Sequence, residues 1–214
     1  MAEEESPSAS ADVAILSKYV WRGQELSRDS IVIQPSMTIS YKGFSGNLWG
    51  NLDTDQYKND EYIYYALEGT DADTQEVFLS LGLDTFLSPS LTVYKDISEY
   101  PSWYFLLGIS HAFEITEKVS LELSGSISYL LSDDADDYYE VENGVPTDTE
   151  FENFHDGVIS ASLPIAVTKY MTITPSLSYT FPLSSDASDE MEYRSFKGDD
   201  DNFVYGGVTL SMAF

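Results

Sequence analysis

The sequence predicts an all-β fold, an antiparallel transmembrane up-and-down β-barrel of about ten strands, on three observations. First, the closing residues GVTLSMAF put Val208, Leu210, Met212 and Phe214 at every second position, the period of a strand with one oily face. Chain ends are ordinarily frayed and polar. A terminus that keeps its pattern to a final aromatic therefore fits the strand that closes a cylinder against the first one. Second, similar alternation recurs along the 214 residues, bounded by turn residues and almost without helical period. Third, the longest apolar run, Trp103 to Ile109, is far short of the ~20 residues of a membrane helix.

The strands follow in order. The first is expected over Asp12 to Arg22, with Lys18 and Arg22 on its polar parity. The second, Ile31 to Tyr41, sets Ile33, Pro35, Met37 and Ile39 against Gln34, Ser36, Thr38 and Ser40. After a Lys42-Gly43 turn, the third runs from Phe44 to Asp53; the fourth covers Gln75 to Phe86, the fifth Leu91 to Asp96 and the sixth Ser102 to Phe113. The seventh, Val119 to Leu131, opposes Leu121, Leu123 and Ile127 to Ser120, Glu122, Ser124, Ser126 and Ser128. His155 to Val167 is the eighth, and Met171 to Phe181 the ninth, with Ser and Thr at every second place; the tenth is Phe203 to Phe214. A soluble sandwich would turn its polar face to water with Lys and Glu, whereas small uncharged groups suit a crowded interior.

Connections alternate in length. Tight links (Lys42-Gly43, Leu87 to Ser90, Glu114 to Lys118, Thr168 to Tyr170) alternate with long ones, notably Thr54 to Thr74, Ser132 to Phe154 and Pro182 to Asn202. That is the layout of a bacterial outer-membrane barrel with both termini at the short-turn, periplasmic rim. Residues 1–10 read as a flexible acidic segment and 11–214 as one barrel domain; MAEEESPSAS has no secretory leader, so the chain reads as mature. Tyr19, Trp21, Trp103, Phe105, Tyr129, Tyr179 and Phe181 are expected in an aromatic belt at the long-loop ends, and Tyr41, Phe44, Phe113, Tyr170 and Phe214 in one at the short-turn ends. Pro35, Pro164 and Pro175 predict bulges or broken pairing.

Several stretches carry a family resemblance: LSKYVWRG, VIQPSMTISYKGFSGNLWGNLDTD, TQEVFLSLGLDTFLSPSLTVYKD, LGISHAF, ITPSLSYTFPLS and VYGGVTLSMAF. They resemble the TorF family of porins nearly end to end, failing mainly in the long loops. The resemblance implies an outer-membrane barrel with a pore, and no substrate or catalytic residue. Family members often carry an extra hairpin where this chain has QYKNDEYIYYALEGTDAD, and Tyr62 to Tyr65 resemble the end of a strand, so twelve strands stand as the alternative to ten.

The net charge of -27 repels phosphate and argues against nucleic acid as a partner. With no Cys, disulfides and thiolate metal sites are out. Nine carboxylates and no Lys or Arg fall between Asp133 and Glu152. The acidic outer rim of Asp133, Asp134, Asp136, Asp137, Asp199, Asp200 and Asp201 would be plain solvated loop, concentrate cations at a pore mouth, or bind Ca²⁺ or Mg²⁺ weakly. No EF-hand spacing is present, and no tight metal site or cofactor is expected. Lys18, Arg22, Asp53, Asp84 and Glu122 are the lumen-facing candidates, either neutralising one another or setting selectivity. His111 is expected near the periplasmic rim, while His155, beside Glu152 and Asp156, is the one candidate base for a surface hydrolase.

The reading is therefore a non-enzymatic outer-membrane protein giving narrow, cation-preferring passage to small hydrophilic solutes. A non-conducting structural or surface-interaction barrel is the alternative, and a hydrolase comes third. Expected partners are outer-membrane lipid, lipopolysaccharide and the barrel-assembly machinery, which would engage Phe214.

Overall fold

The computed structural model describes residues 6–27, 30–41, 44–54, 76–98, 100–195 and 200–214. The segment 55–75, with Asp60 and Tyr62 to Tyr65, lies outside them, as do Lys42, Gly43, Lys197 and Asp199. Along the chain come β1 (Ser8–Leu16), β2 (Val20–Trp21), β3 (Gln24–Glu25), β4 (Val32–Tyr41), β5 (Phe44–Trp49), β6 (Leu52–Asp53), β7 (Glu76–Gly82) and β8 (Ser90–Asp96). They are followed by β9 (Ser102–Thr116), β10 (Val119–Ser132), β11 (Tyr139–Glu142), β12 (Val145–Glu150), β13 (Glu152–Ser162), β14 (Ile165–Ala166), β15 (Met171–Pro182), helix α1 (Ser185–Arg194) and β16 (Phe203–Ala213).

One antiparallel sheet dominates, in the order β5-β4-β1-β16-β15-β13-β10-β9-β8-β7, with β6 continuing β5 along β4 and β14 continuing β13 between β10 and β15. The ten expected strands thus occupy ten wall positions. Successive wall strands pair, except β5 and β7, which have no mutual pairing among the described residues, and a further pairing joins the chain's ends: β1 pairs with β16 from Ser10↔Ala213 to Leu16↔Gly207. Ala9 and Phe214 exchange backbone hydrogen bonds of 3.2 and 2.8 Å, so both ends sit at one rim. The two ends of the order, β5 and β7, are the strands that flank residues 55–75.

The sheet is strongly curled. Arg22, six residues beyond β1, ion-pairs with Glu76 in β7, seven wall positions away. On a flat sheet those positions would be ~34 Å apart at ~4.8 Å per strand. Six residues of extended chain reach only ~20 Å, so β7 has come round toward β1.

Register sorts the side chains onto two faces. Leu121↔Phe113, Leu123↔His111, Ile127↔Leu107 and Tyr129↔Phe105 lie on the outer one. Ser124, Ser126, Ser160, Ser178 and Thr209 lie on the inner one. Exposed apolar residues occur on every wall strand, among them Leu48, Met37, Val13, Val208, Leu177, Ile159, Ile127, Ile109, Leu91 and Leu79. A continuous apolar belt of this kind far exceeds the patches that soluble monomers leave to water. Trp103 stacks with Phe105 and Tyr179 with Phe181 near the long-loop end, while Tyr41, Phe113, Tyr170 and Phe214 stand exposed toward the other. The prolines fall at gaps. β13 stops at Ser162 and resumes as β14 beyond Pro164, opposite Pro175, and the break between β5 and β6 faces Pro35.

Other expectations are corrected. The first strand begins at Ser8, inside the segment read as flexible, because the alternation of Ala9 and Ala11 continues its pairing with β4. It ends at Leu16 instead of running to Arg22. Val20-Trp21 and Gln24-Glu25 form a hairpin whose turn residues Arg22 and Gly23 have φ of 48° and 77°, a reversal that leaves the wall. Tyr19 and Trp21 consequently leave the belt: Tyr19 packs 5.5 Å from Trp49, on the inner parity of β5, and Arg22 stacks over Trp21. Strand four closes at Gly82, and Asp84 is exposed in the short link, where Thr85 and Ser88 amides donate to Leu83 and Thr85 carbonyls. Two expected loops carry structure, α1 and the β11–β12 hairpin.

Candidate functional site

The interior near the long-loop end is filled by a cap made of the β2–β3 hairpin, α1 and the approach to β13. A β-bulge builds its wall side. Between Ile127 and Tyr129 of β10 the register shifts, leaving His155 and Asp156 opposite Ser128. Extra residues in one strand re-aim side chains. Consecutive residues, which would otherwise point to opposite faces, are here both buried, at 0% and 2% exposure.

Ser184 begins α1 as its N-cap, accepting from the Ala187 amide at 3.1 Å and donating to the Phe154 carbonyl at 2.7 Å. The helix then buries Ala187, Glu190 and Met191, one stripe at i, i+3, i+4. Beneath it, Tyr104, Leu130, Tyr138, Phe151 and Ala187 form an apolar cluster.

Polar groups link these parts. His155 Nδ1 lies 3.1 Å from Asp156 Oδ1 and Nε2 lies 3.2 Å from Glu190 Oε2. Asp156 Oδ1 also accepts from Tyr104 OH and sits beside Ser128 Oγ, each at 2.8 Å. Gln24 Nε2 donates to Glu190 Oε1 at 2.9 Å, and Arg194 Nε lies 2.5 Å from the same oxygen. Arg22 spans to Glu76 with its guanidinium 4.4 Å from the Tyr104 ring centroid and 5.2 Å from Tyr94. Arg194 packs over Tyr138 and Tyr139 and donates to the Asp137 carbonyl. Burial pushes the Tyr138 phenol well above its usual range.

The lumen candidates separate. Lys18 pairs with Glu25 at 2.6 Å and lies 5.5 Å from the Phe203 ring, so both expected lumen cations belong to the cap. Asp53 is buried at the long-loop end and takes a 2.5 Å hydrogen bond from Ser30. Glu122 is half-buried on the inner face between Ala112 and Ser162. Asp84 is not in the interior.

The rim acids tie down loops. Asp133 pairs with Lys95, Asp134 accepts from the Asp136 amide at 2.9 Å, and the Asp200 amide donates to Ser195 at 3.3 Å. Ser188 donates to Asp201 at 2.6 Å, which holds that carboxyl below the usual carboxylate range. Among the described residues no group of three or more His, Cys, Asp or Glu is arranged to hold a metal ion.

His111 faces outward at the short-turn end, its Nδ1 2.6 Å from the Phe86 carbonyl and its ring between Phe86 and Phe113. His155 is fully enclosed, which leaves no face for a substrate. Its expected neighbour Glu152 instead meets Tyr129 OH at 3.4 Å. Glu190 and Gln24, the residues that join the cap to the wall, were not singled out in the sequence; Ser184 ahead of Asp186, with Arg194 in the last turn, is the one signal of the helix that carries Glu190.

A family model described as "Bacterial protein of unknown function (Gcw_chp)" matches residues 1–159. No curated protein matches the chain. Similar solved structures include the N-terminal β-barrel domain of Pseudomonas aeruginosa OprF, at TM-score 0.36 and 10% identity over 97% of each chain. Neisserial surface protein A (NspA) is similar at TM-score 0.30 and 11% identity, over 97% of this chain and 95% of that one.

Proposed function

The chain belongs to the Gcw_chp family of bacterial proteins, and from that premise we propose that it is an outer-membrane β-barrel shut by an internal cap. With the cap displaced, it gives narrow, cation-preferring passage to small hydrophilic solutes. The observation that carries this reading is the hairpin crossing the interior from β1 to Glu76, above an inner face of Ser and Thr. The polar face supplies a path, and the hairpin blocks it.

The belt of exposed apolar residues on every wall strand supports insertion in a membrane, since each would otherwise lose ~25 cal/mol per Å² to water. In this reading β5 and β7 meet, closing about ten strands into a cylinder of roughly 10 Å backbone radius. The resemblance to TorF porins supports the pore. The short-turn rim faces the periplasm, outer-membrane lipid and lipopolysaccharide surround the belt, and Phe214 meets the barrel-assembly machinery.

The complete burial of His155, Glu190 and Phe151 favours a second reading, a barrel that never conducts. Planar-bilayer recording separates the two. The native protein should open rarely, and Arg22→Ala combined with Gln24→Ala should give sustained small conductance. Silence from both in several lipid mixtures would leave the non-conducting barrel.

A further inference from the structure

We propose that the cap is a proton-dependent closure with His155 as its keystone: the doubly protonated ring ties Asp156 of the wall to Glu190 of α1, and losing one ring proton frees the helix and the hairpin it holds. The inference rests on the capped-barrel reading.

Geometry carries it. A neutral imidazole has one donor and one acceptor, so it can donate to only one of two carboxylates. Here each ring nitrogen faces a carboxylate oxygen, at 3.1 and 3.2 Å. The imidazolium satisfies both; the neutral ring would set a lone pair against an anionic oxygen inside a site with 0% exposure.

Every element around the ring contributes to the balance. Asp156 comes from β13, Glu190 and Arg194 from α1, and Gln24 from β3. Tyr104 of β9 and Ser128 of β10 act through Asp156. The Phe151 ring stands edge-on at 5.2 Å and closes the remaining side. Arg22 is taken by Glu76, and Arg194 lies against Tyr138. Two carboxylates are therefore matched by His155 and Arg194. Removing the ring proton leaves one buried negative charge uncompensated, at the point where α1 and the hairpin meet the wall.

The connection to closure is mechanical. Glu190 receives His155 from the wall and Gln24 from the hairpin, and Met191, one residue on, covers Gly23 in the hairpin turn. Loosening α1 uncovers the turn that carries Arg22. The closure should hold at neutral pH and loosen as pH rises through the titration of the ring.

The test uses the full chain in nanodiscs. His111→Gln leaves His155 as the only imidazole, since the sequence has two His. Nitrogen NMR of labelled histidine should show both ring nitrogens protonated at neutral pH. Amide exchange of residues 185–195, corrected for its intrinsic pH dependence, should accelerate about 100-fold as that ring loses its proton. His155→Gln should exchange at the fast level at every pH. A singly protonated ring at neutral pH, or helix protection indifferent to the titration, overturns the proposal, and both readouts come from the His111→Gln protein even if His155→Gln does not fold. Neither readout needs conduction, so silent bilayers would remove the pore and leave the latch standing.

Discussion

Arg22 meets Glu76 across the interior, and Glu76 stands directly opposite Asp96 in the β7–β8 ladder. Asp96 is 1% exposed and accepts from Ser98, so two like charges face each other in the ladder with the guanidinium on Glu76. Arg22→Ala should therefore destabilise by about 1–3 kcal/mol, because it leaves the partly buried Glu76 carboxylate facing Asp96 without its cation. Adding Glu76→Gln should recover much of that loss. A double-mutant cycle from urea unfolding in detergent measures it, and strict additivity would show that the pair is not coupled.

Gly207 separates a close approach from a turn requirement. A Cβ there would stand 1.9 Å from the Ile15 carbonyl oxygen, against backbone that cannot yield without breaking the β1–β16 pairing. Gly207→Val should abolish the heat-modifiable folded band on gels. At Gly23 the nearest atom is the flexible Met191 Sδ at 3.0 Å, and φ is +77°, so Gly23→Ala should cost only about 1–2 kcal/mol and keep the fold. Equal damage at both positions would contradict the assignment of Gly207 to the β1–β16 seam.

The wall was legible because each strand has one neighbour-independent property, its period of two, and every stave obeys it. Strand nine, with Ile173, Leu177 and Tyr179 opposing Thr174, Ser178 and Thr180, sits on the faces its sequence assigns. The cap was not legible, since its placement depends on contacts between residues far apart. Val20-Trp21 continues the alternation of β1, and only the left-handed pair Arg22-Gly23 turns it inward. His155 and Asp156 read as one inward and one outward residue until the bulge opposite Ser128 turns both inside. Asn143-Gly144, with φ of 53° and 73°, did carry a local signal for the β11–β12 hairpin, of the kind that favours type I′ turns.

Asp201 gives a pH-dependent contact outside the wall. Its carboxyl is held below the usual range first by the Ser188 hydroxyl, so the stabilisation is present above the unfolded carboxylate value and is lost as pH falls through the lower folded one. Ser188→Ala should raise the Asp201 pKa toward the ordinary range, and the part of the acid loss of α1 amide protection that comes from Asp201 should disappear. Carbon NMR of the carboxyl checks the first. No change in either would remove Ser188 as the cause.

Orientation is tested at two exposed positions. Cys at Asp136, in the loop after β10, should react with an impermeant reagent on intact cells, whereas Cys at Lys169, in the β14–β15 turn, should react only after lysis. The reverse pattern would place the cap on the periplasmic side.

Ion preference depends on which charges the open cap leaves behind. Lys18 and Arg22 are paired with Glu25 and Glu76, so neither is spare to repel cations. Below the cap, Asp12 faces inward between Ser211 and Ser36, and Glu122 between Ala112 and Ser162. Among the described wall residues on that inner face there is no Lys or Arg. Rim acids act over about one Debye length, ~8 Å at physiological salt, while a charge inside a narrow lumen is screened less. In the cap-released Arg22→Ala, Gln24→Ala protein, Asn at Asp133, Asp134, Asp136 and Asp137 should weaken cation preference mainly at low salt. Asn keeps the acceptor that holds the Asp134 turn, so the loop should survive. Glu122→Gln should weaken the preference at high salt as well. Reversal potentials in salt gradients measure both, and anion preference in the cap-released protein would contradict the whole charge assignment.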